Sequence, residues 1–437
     1  ALDCGSGGLA CLEALPHCGA MVPRDDTGRG VRLIARLLAE IARRHDVLGR
    51  AGYGSVAEQR AAAPPADRLP WMVLAVDSYE GFVHAYGEID SGRVVDDLGR
   101  VLHEGPAAGL RVVVTGDRQL LTSRLAAVVG ERLVLPLADA DTYALAGVPA
   151  KEMPERNLPG RALALDSPIT DVQVALLDAD PAGPAQVAAV SRTGAWAAAE
   201  VPPTHRPIRL RALPARVPVS DLPAPAGGPL QVVLGLGADA AEPVGFDLAA
   251  DGPGALVAGP AGSGRTTTLR TAARMYTAHG TPVVVVGGRR SGLASLAGAP
   301  GVIGVVDPAA DDRLAELLAA HTGRPLVVLA DDAERLTDTP VDAVLAGMLE
   351  ADEPRWGLVA AGSTDDLAAT YRGITVALRR SRLGILLSPG RPTDGELLGI
   401  RVARGAASRP GLGLLATRGE TVPIQVAIGC PPVRTAP

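Results

Sequence analysis

Residues 255–267 of this 437-residue chain read Ala-Leu-Val-Ala-Gly-Pro-Ala-Gly-Ser-Gly-Arg-Thr-Thr. The stretch starts as an apolar strand, passes through a glycine-rich loop and enters helix-forming sequence at Thr266. The loop fits the pattern G-x-x-x-x-G-K-[ST], except that arginine takes the place of lysine. Glycines let the backbone approach a phosphate closely, and the free N–H groups at a helix start attract the anion. The stretch therefore predicts a phosphate-binding loop between a strand and a helix.

The sequence on either side of the loop predicts an α/β fold. Short, apolar and often β-branched runs alternate with segments of helical spacing, which is typical of a parallel sheet covered on both faces. The predicted strands are Ala255–Ala258, Pro282–Val286, Val302–Val306, Leu326–Ala330 and Gly357–Ala361. The predicted helices between them are Thr267–His279, Asp312–His321 and Val341–Glu350.

The same module occurs twice along the chain. Three segments of the first half reappear in the second half in the same order, and this shared order argues against chance similarity. The matched pairs are Gly8–Pro16 with Gly292–Pro300, Pro70–Asp77 with Pro325–Asp332, and Pro159–Leu176 with Pro410–Ile428. We therefore predict a first α/β domain at residues 1–181, a helix and proline-rich connector at 182–229, and a second α/β domain at 230–437. Extending the repeat backwards places the phosphate loop of the first copy before Ala1, so we expect that copy to be truncated at its N-terminus.

The second copy supplies a candidate site for ATP and Mg²⁺. Thr266 is predicted to place its hydroxyl on Mg²⁺. Asp331, at the end of an apolar strand, is predicted to hold the ion through water, and Asp332 to orient the attacking water as the catalytic residue. Ser363 and Thr364 are either sensors of the γ-phosphate or turn caps. The predicted nucleotide-binding residues are Gly259, Pro260, Ala261, Gly262, Ser263, Gly264, Arg265, Thr266 and Thr267.

The first copy has a different set of residues at the corresponding positions. It keeps the acidic strand end at Asp77, but Ser78 stands where the second copy has Asp332, and Thr115 is the candidate sensor. We predict that this copy does not bind a nucleotide. With Arg265 in the second copy we expect ATP binding but not fast hydrolysis, because lysine is a compact point charge whereas arginine is a larger planar fork.

Composition limits the remaining classes of function. The formal net charge is −6 and the pI is near 5.7, so any nucleic-acid contact has to be a local basic patch. No run of about 18 apolar residues occurs, and we expect neither a membrane span nor a signal peptide. Cys4, Cys11, Cys18 and Cys430 fit no common zinc spacing, which favours ordinary thiols in a reducing compartment.

These motifs together resemble the FtsK/SpoIIIE family of RecA-like P-loop ATPases. The resemblance covers nearly the whole chain and rests on Gly254–Thr268, the Val73–Asp77 strand and Arg206-Pro207-Ile-Arg209 with Leu213-Pro214, together with Pro159-Gly-Arg161 and Arg382-Leu-Gly-Ile. Tandem copies are typical of the actinobacterial members, including the EccC-type ATPases of type VII secretion. The resemblance implies two tandem RecA-like domains and a homo-oligomer, hexameric in the family. It also implies a cytoplasmic location, with membrane association only through upstream segments of a full-length protein.

Three functions follow from the resemblance. The first is a module of a motor that translocates double-stranded DNA, with a basic channel for which the candidate residues are Arg206, Arg209, Arg211 and Arg216, together with Arg379, Arg380 and Arg382. The alternative is a type VII secretion ATPase that translocates a secreted protein. The acidic net charge and the altered catalytic residues favour this alternative. The third is a catalytically silent, nucleotide-binding regulatory module. As an enzyme, the chain is expected to be an ATPase of low or degenerate activity.

Overall fold

The computed structural model describes residues 1–154, 158–202, 206–207, 209–288, 291–309, 312–321, 323–351, 355–403, 408–418 and 420–429. The chain forms two compact units, Ala1–Leu210 and Arg211–Pro437. Among the described residues, no helix combines the length and the apolar character needed to cross a bilayer. Cys4 is buried and Cys11 and Cys18 are partly buried free thiols, whereas Cys430 lies outside the described residues.

The first unit alternates helices and short strands. Its strands are β1 (Leu2–Asp3), β2 (Val22–Pro23), β3 (Met72–Asp77), β4 (Leu110–Val114), β5 (Leu133–Val134), β6 (Arg161–Ala164) and β7 (Thr170–Gln173). Its helices are α1 (Thr27–Ala51), α2 (Val56–Ala62), α3 (Tyr79–Tyr86), α4 (Arg93–Glu104), α5 (Arg118–Thr122), α6 (Ala140–Ala146) and α7 (Gly183–Glu200).

These strands form two sheets. The larger one is parallel, with the strand order β2-β1-β3-β4, and β5, β6 and β7 form a separate antiparallel sheet. Alternation along β3 decides which side of the parallel sheet is covered: Leu74 and Val76 are buried, whereas Val73 is 68% exposed. The covered side packs against helix α1 through Ile34 and Ile41 and against helices α3 and α4.

The second unit is built around a larger sheet. Its strands are β8 (Gln231–Gly237), β9 (Glu242–Asp247), β10 (Gly254–Gly259), β11 (Val283–Val286), β12 (Val302–Val306), β13 (Leu326–Ala330), β14 (Trp356–Ser363), β15 (Gly384–Leu387), β16 (Leu412–Ala416) and β17 (Thr421–Val426). Its helices are α8 (Arg265–Ala278), α9 (Arg313–Ala320), α10 (Pro340–Glu350), α11 (Thr364–Ala369) and α12 (Ile374–Ser381).

This sheet has ten strands in the order β12-β11-β13-β14-β10-β15-β16-β17-β8-β9. The half from β12 to β15 is parallel, as the sequence predicts, and its central strands β10, β11 and β13 are buried along their whole length. The half from β15 to β9 is antiparallel, an extension that the sequence analysis does not predict. Strand β10 therefore lies inside the sheet, with the start of the phosphate loop at its carboxyl end.

The predicted connector at 182–229 is divided between the two units. Helix α7 belongs to the first unit, where Gly194 approaches the backbone of Ala14. Val217, Val219 and Leu222 belong to the core of the second unit. The difference from the predicted boundaries has a simple cause, because the apolar side chains of both parts are buried in the unit that each part joins.

The sequence repeat is also a structural repeat at the last hairpin of each unit. Gln173 donates its side-chain amide to the carbonyl of Pro159 at 3.3 Å, and Gln425 donates to the carbonyl of Pro410 at 3.1 Å. The glycine after each proline has a φ in the left-handed region, 75° at Gly160 and 78° at Gly411. The two hairpins, β6–β7 and β16–β17, therefore share this hydrogen bond from glutamine to proline as well as their sequence.

Candidate functional site

The phosphate loop joins the carboxyl end of β10 to the start of helix α8. Two of its glycines have a φ that L-amino acids rarely adopt, 77° at Gly262 and 107° at Gly264. Gly259 is fixed by close approach, because a Cβ there would lie 2.4 Å from the Ser263 hydroxyl. The backbone path of the loop thus requires glycine at both glycine positions of the motif, Gly259 and Gly264, and also at Gly262, where the motif allows any residue.

The start of helix α8 presents backbone N–H groups to the space inside the loop. Gly264 precedes the helix and offers no side chain to cap them, while Thr268 N–H already bonds the Gly264 carbonyl at 2.8 Å. The remaining N–H groups of the first turn and the positive end of the helix dipole together form an anion-binding arrangement. Arg265 is the first residue of this helix.

Thr266 and Asp331, the two predicted magnesium residues, meet at the edge of the sheet. The Thr266 hydroxyl donates to Asp331 Oδ2 at 3.1 Å, and the Ser291 hydroxyl donates to the same oxygen at 2.7 Å. Asp331 is 6% exposed. The oxygen donors next to the loop are of the kind that Mg²⁺ prefers, since this ion takes one or two protein ligands and keeps several waters. The residues present therefore fit a magnesium–nucleotide complex.

Asp332 and Glu334 are the acidic residues that follow. Asp332 has a left-handed φ of 52° and its half-buried side chain makes no hydrogen bond within the described part of the chain. Burial raises the pKa of Glu334, and the negative charge of Asp332 adds to the rise. Backbone hydrogen bonds at Glu334 itself and at Ser363, together with the charge of Arg265, oppose the rise. Glu334 is thus the acidic group held by the end of the neighbouring strand β14.

The first unit contains the same acidic contact. Glu80 Oε1 accepts from the N–H groups of Asp117 at 2.7 Å and Leu120 at 3.2 Å. A glycine makes room for the carboxylate in both units, since a Cβ would lie 2.9 Å from Glu80 Oε1 at Gly116 and 2.4 Å from Glu334 Oε2 at Gly362. The contact therefore joins two strand ends in each unit. It is present in the first unit as well, although the described residues of that unit contain no counterpart of β10 and its loop.

The other candidates of the second unit divide into near and distant ones. Ser363 pairs with Gly259 on the adjacent strand β14, so it lies at the edge of the sheet that carries the loop, and Thr364 follows it at the start of helix α11. Arg379 and Arg382 lie at the other end of the strands, away from the loop, because Ser381 between them donates to the carbonyl of Gly254 at the start of β10. There they line a cavity of about 420 Å³ together with Tyr371, Arg380 and Glu396.

In the first unit, the hydroxyl of the predicted sensor, Thr115, is hydrogen bonded to the residues at the end of strand β3. The Thr115 hydroxyl donates to Asp77 Oδ1 at 2.7 Å and accepts from the Ser78 N–H at 2.9 Å. Ser78 has a left-handed φ of 62°, which matches Asp332 in the second unit. The repeat thus keeps a positive φ at this position, whereas ψ differs, 93° at Ser78 and 52° at Asp332, and the side chain changes.

Three buried polar atoms around the loop have no hydrogen-bond partner within the described residues: Ser263 Oγ, Arg265 Nη1 and Glu334 Oε2. Buried polar groups are normally paired, and a bound nucleotide with its waters would supply donors and acceptors here. Neither Ser291 nor Glu334 belongs to a motif that the sequence predicts for the site. A signal for Glu334 was present, since Asp77-Ser-Tyr-Glu80 and Asp331-Asp-Ala-Glu334 share the final glutamate.

Comparison with known proteins identifies relatives over the whole chain, although no protein-family model matches it. The ESX-4 secretion system protein EccC4 of Mycobacterium tuberculosis is 28% identical over an alignment of 466 positions, which covers 99% of this chain and 36% of EccC4. ATPases 2 and 3 of Geobacillus thermodenitrificans EssC match with a TM-score of 0.68 and 18% identity, over 98% of this chain and 84% of that structure. ATPases 2 and 3 of Thermomonospora curvata EccC, in complex with a signal sequence peptide, match with a TM-score of 0.57 and 23% identity, over 98% and 81%.

These matches confirm the predicted resemblance and fold. The chain is similar in sequence to the EccC secretion proteins, and its fold is that of tandem ATPase domains such as those of EccC and EssC. The chain spans only 36% of the length of EccC4.

The prediction of a DNA-translocating motor is wrong. The relatives that match most of the chain are secretion ATPases, which agrees with the alternative prediction. The proposed channel lining loses its basis with that prediction. It comprised Arg206, Arg209, Arg211, Arg216, Arg379, Arg380 and Arg382.

Proposed function

We propose that this chain is the tandem ATPase part of a type VII secretion ATPase, in which the second unit binds Mg-ATP and the protein translocated is a secreted substrate. The observation that carries the proposal is the meeting of Thr266 and Asp331 beside the glycine loop, in a chain related to EccC. The support for a secreted substrate comes from the relatives, because EccC of Thermomonospora curvata was solved with a signal sequence peptide.

Each element of the site has a role in the proposal. The loop from Gly259 to Gly264 surrounds the phosphates, and the N–H groups at the start of helix α8 donate to them. Thr266 and Asp331 hold Mg²⁺, which neutralises phosphate charge when bound. Arg265 contributes positive charge, and Asp332 orients the attacking water.

Low turnover is part of the proposal. Arginine cannot occupy the position of the loop lysine as a compact charge, and Asp332 is one methylene shorter than glutamate. Nucleotide binding without rapid hydrolysis would make the second unit a regulatory one within the secretion ATPase. The oligomeric state that the family resemblance implies is a homo-hexamer.

Calorimetry with Mg-ATP tests the binding site, with hydrolysis followed on the same samples. We expect the parent chain to bind, Arg265→Ala to lose most of the affinity, and Thr266→Val to lose the Mg²⁺-dependent part, because valine keeps the shape and removes the hydroxyl. Arg265→Lys is expected to bind and to hydrolyse ATP faster than the parent. Absence of binding by the parent would refute the nucleotide site.

Fluorescence anisotropy with a labelled signal sequence peptide from a secreted substrate tests the cargo. We expect saturable binding to the full chain, with a scrambled peptide of the same composition as the control. Double-stranded DNA of any sequence should compete with the peptide no better than a neutral polymer. Binding of the scrambled peptide with equal affinity would contradict recognition of a signal sequence.

A further inference from the structure

The phosphate loop is held from outside by the hairpin β16–β17. The N–H of Gly411 donates to the carbonyl of Ser263 at 2.8 Å, which is the hydrogen bond between the hairpin and the loop. A Cβ on Gly264 would lie 3.4 Å from the same N–H, so the loop and the hairpin are in close contact. The position of Gly411 therefore influences the path of the loop.

The side chain of Arg409 also fixes the start of this hairpin. Its Nε donates to Gln425 Oε1 at 2.9 Å, and its Nη2 donates to the carbonyls of Leu213 at 2.9 Å and Pro214 at 3.3 Å. Gln425 is 2% exposed and donates to the carbonyl of Pro410, next to Gly411. One guanidinium thus joins the segment that enters the second unit to the hairpin that contacts the loop.

The first unit shows that the hairpin does not need this arginine. There Leu158 occupies the position of Arg409, and it is 54% exposed. The backbone bonds are nonetheless the same: Arg161 N–H donates to the Leu158 carbonyl at 3.1 Å, as Leu412 N–H does to the Arg409 carbonyl at 3.1 Å. The side chain of Arg409 is therefore an addition to the hairpin of the unit that has the loop.

We propose that Arg409 is a positioning residue for nucleotide binding, which couples the segment around Leu213 and Pro214 to the phosphate loop through Gln425 and Gly411. The inference rests on the proposed ATP site at Gly259–Thr267. Fixing the loop in its binding conformation lowers the cost of ordering it when the nucleotide arrives. Coupling is reciprocal, so nucleotide binding also tightens the segment around Leu213.

The first test is the affinity for Mg-ATP of the full chain, measured by calorimetry. We expect Arg409→Ala to raise the Kd about tenfold, equivalent to about 1.4 kcal/mol. Arg409→Lys is expected to behave like the alanine variant, because a single ammonium cannot reach both Gln425 and the two carbonyls. Arg418→Ala, which removes an exposed arginine from the same hairpin, and Leu158→Ala, at the matching position of the first unit, are the controls and should retain the parent Kd.

The second test separates coupling from a loss of structure. Arg211 N–H and Val219 N–H are hydrogen bonded on either side of Leu213 and Pro214, to Asp239 and Ile428. Hydrogen–deuterium exchange is expected to show slower exchange at residues 211–219 when Mg-ATP binds the parent, and no such slowing in Arg409→Ala saturated with ATP. A merely structural role would speed exchange without nucleotide and leave the response to ATP in place.

The outcomes keep the two proposals apart. A parent that does not bind Mg-ATP refutes the proposed function itself. A parent that binds, together with an unchanged Kd in Arg409→Ala or full recovery in Arg409→Lys, overturns the role of Arg409 and leaves the nucleotide site intact. A tenfold loss accompanied by loss of the ATP response at 211–219 supports the coupling.

Discussion

Gly264 sets the direction in which the backbone leaves the phosphate loop and enters helix α8. Its φ of 107° is one that a residue with a Cβ adopts at a cost of about 1–2 kcal/mol. We therefore expect Gly264→Ala to lower the free energy of unfolding by about that amount and to weaken Mg-ATP binding, as measured by urea unfolding and calorimetry. Gly347→Ala is the control: it lies exposed in helix α10 with open space around a Cβ, and alanine there should stabilise the chain by about 0.5–1 kcal/mol.

Glu334 makes stability depend on pH. Its pKa in the folded chain is raised from 4.5, first by burial and then by Asp332, so ionisation opposes folding. The stabilisation from its neutral form is complete below the unfolded pKa and is lost as pH rises through the folded pKa. Relative to Glu334→Gln, the parent is thus expected to lose stability as pH rises above about 4.5.

Thermal unfolding of both proteins from pH 4 to pH 8 measures this difference. Asp332→Asn provides an internal check, because removing the neighbouring negative charge should move the loss to lower pH. A constant difference in Tm between the parent and Glu334→Gln over the whole range would contradict the raised pKa.

At the scale of elements, helix α1 depends on a charged cluster that faces the sheet. Arg44 is 2% exposed and donates to the carbonyls of Pro70 at 2.7 Å and Ala108 at 3.1 Å, while Glu40 accepts from Arg44 at 2.8 Å and from Arg43 at 2.7 Å. Hydrogen bonds from Arg43 and Arg44 lower the pKa of Glu40 to about 2. The carboxylate thus compensates a guanidinium buried beneath the helix.

Replacement of Glu40 by glutamine tests this cluster. A lowered pKa contributes stability above the unfolded value of 4.5, and this contribution is lost as pH falls towards 2. Denaturation by urea should therefore show Glu40→Gln less stable than the parent at pH 7, with the difference shrinking between about pH 4.5 and pH 2. Glu104→Gln, in the exposed pair with Arg100, is the control and should change stability by less than about 0.5 kcal/mol.

The sequence predicted the elements whose pattern is local. The β-branched run Val283–Val286 and the apolar run Leu326–Ala330 are strands because they are buried on both faces of a parallel sheet. Strands β8 and β9 were not predicted, since Gln231–Gly237 contains two glycines and its pairing with β17 joins residues far apart in the chain. Strands β1 and β2 have two residues each, which is too short for any periodicity.

The candidate site divides in the same way. Gly259–Thr267 and Asp331 follow a local motif, so the sequence alone predicts them as candidates for the nucleotide site. Ser291 reaches Asp331 from another loop, and Arg409 reaches Leu213 over 196 residues of chain. Such partners are brought together by the sheet order, which a single sequence does not specify.

At the scale of the whole molecule, the two units differ in what they offer a nucleotide. The second unit combines the glycine loop with Asp331, whereas in the first unit the Thr115 hydroxyl and Asp77 bind each other. We expect saturating Mg-ATP to slow hydrogen–deuterium exchange in helix α8 and strands β10 and β13, and to leave helices α3 and α4 unchanged. At a ligand concentration of 100 times the Kd, the second unit should gain about 2.7 kcal/mol of stability. Thr266→Val, which leaves the first unit untouched, should reduce only the response of the second unit; equal protection of both units would contradict the assignment of the nucleotide to the second unit alone.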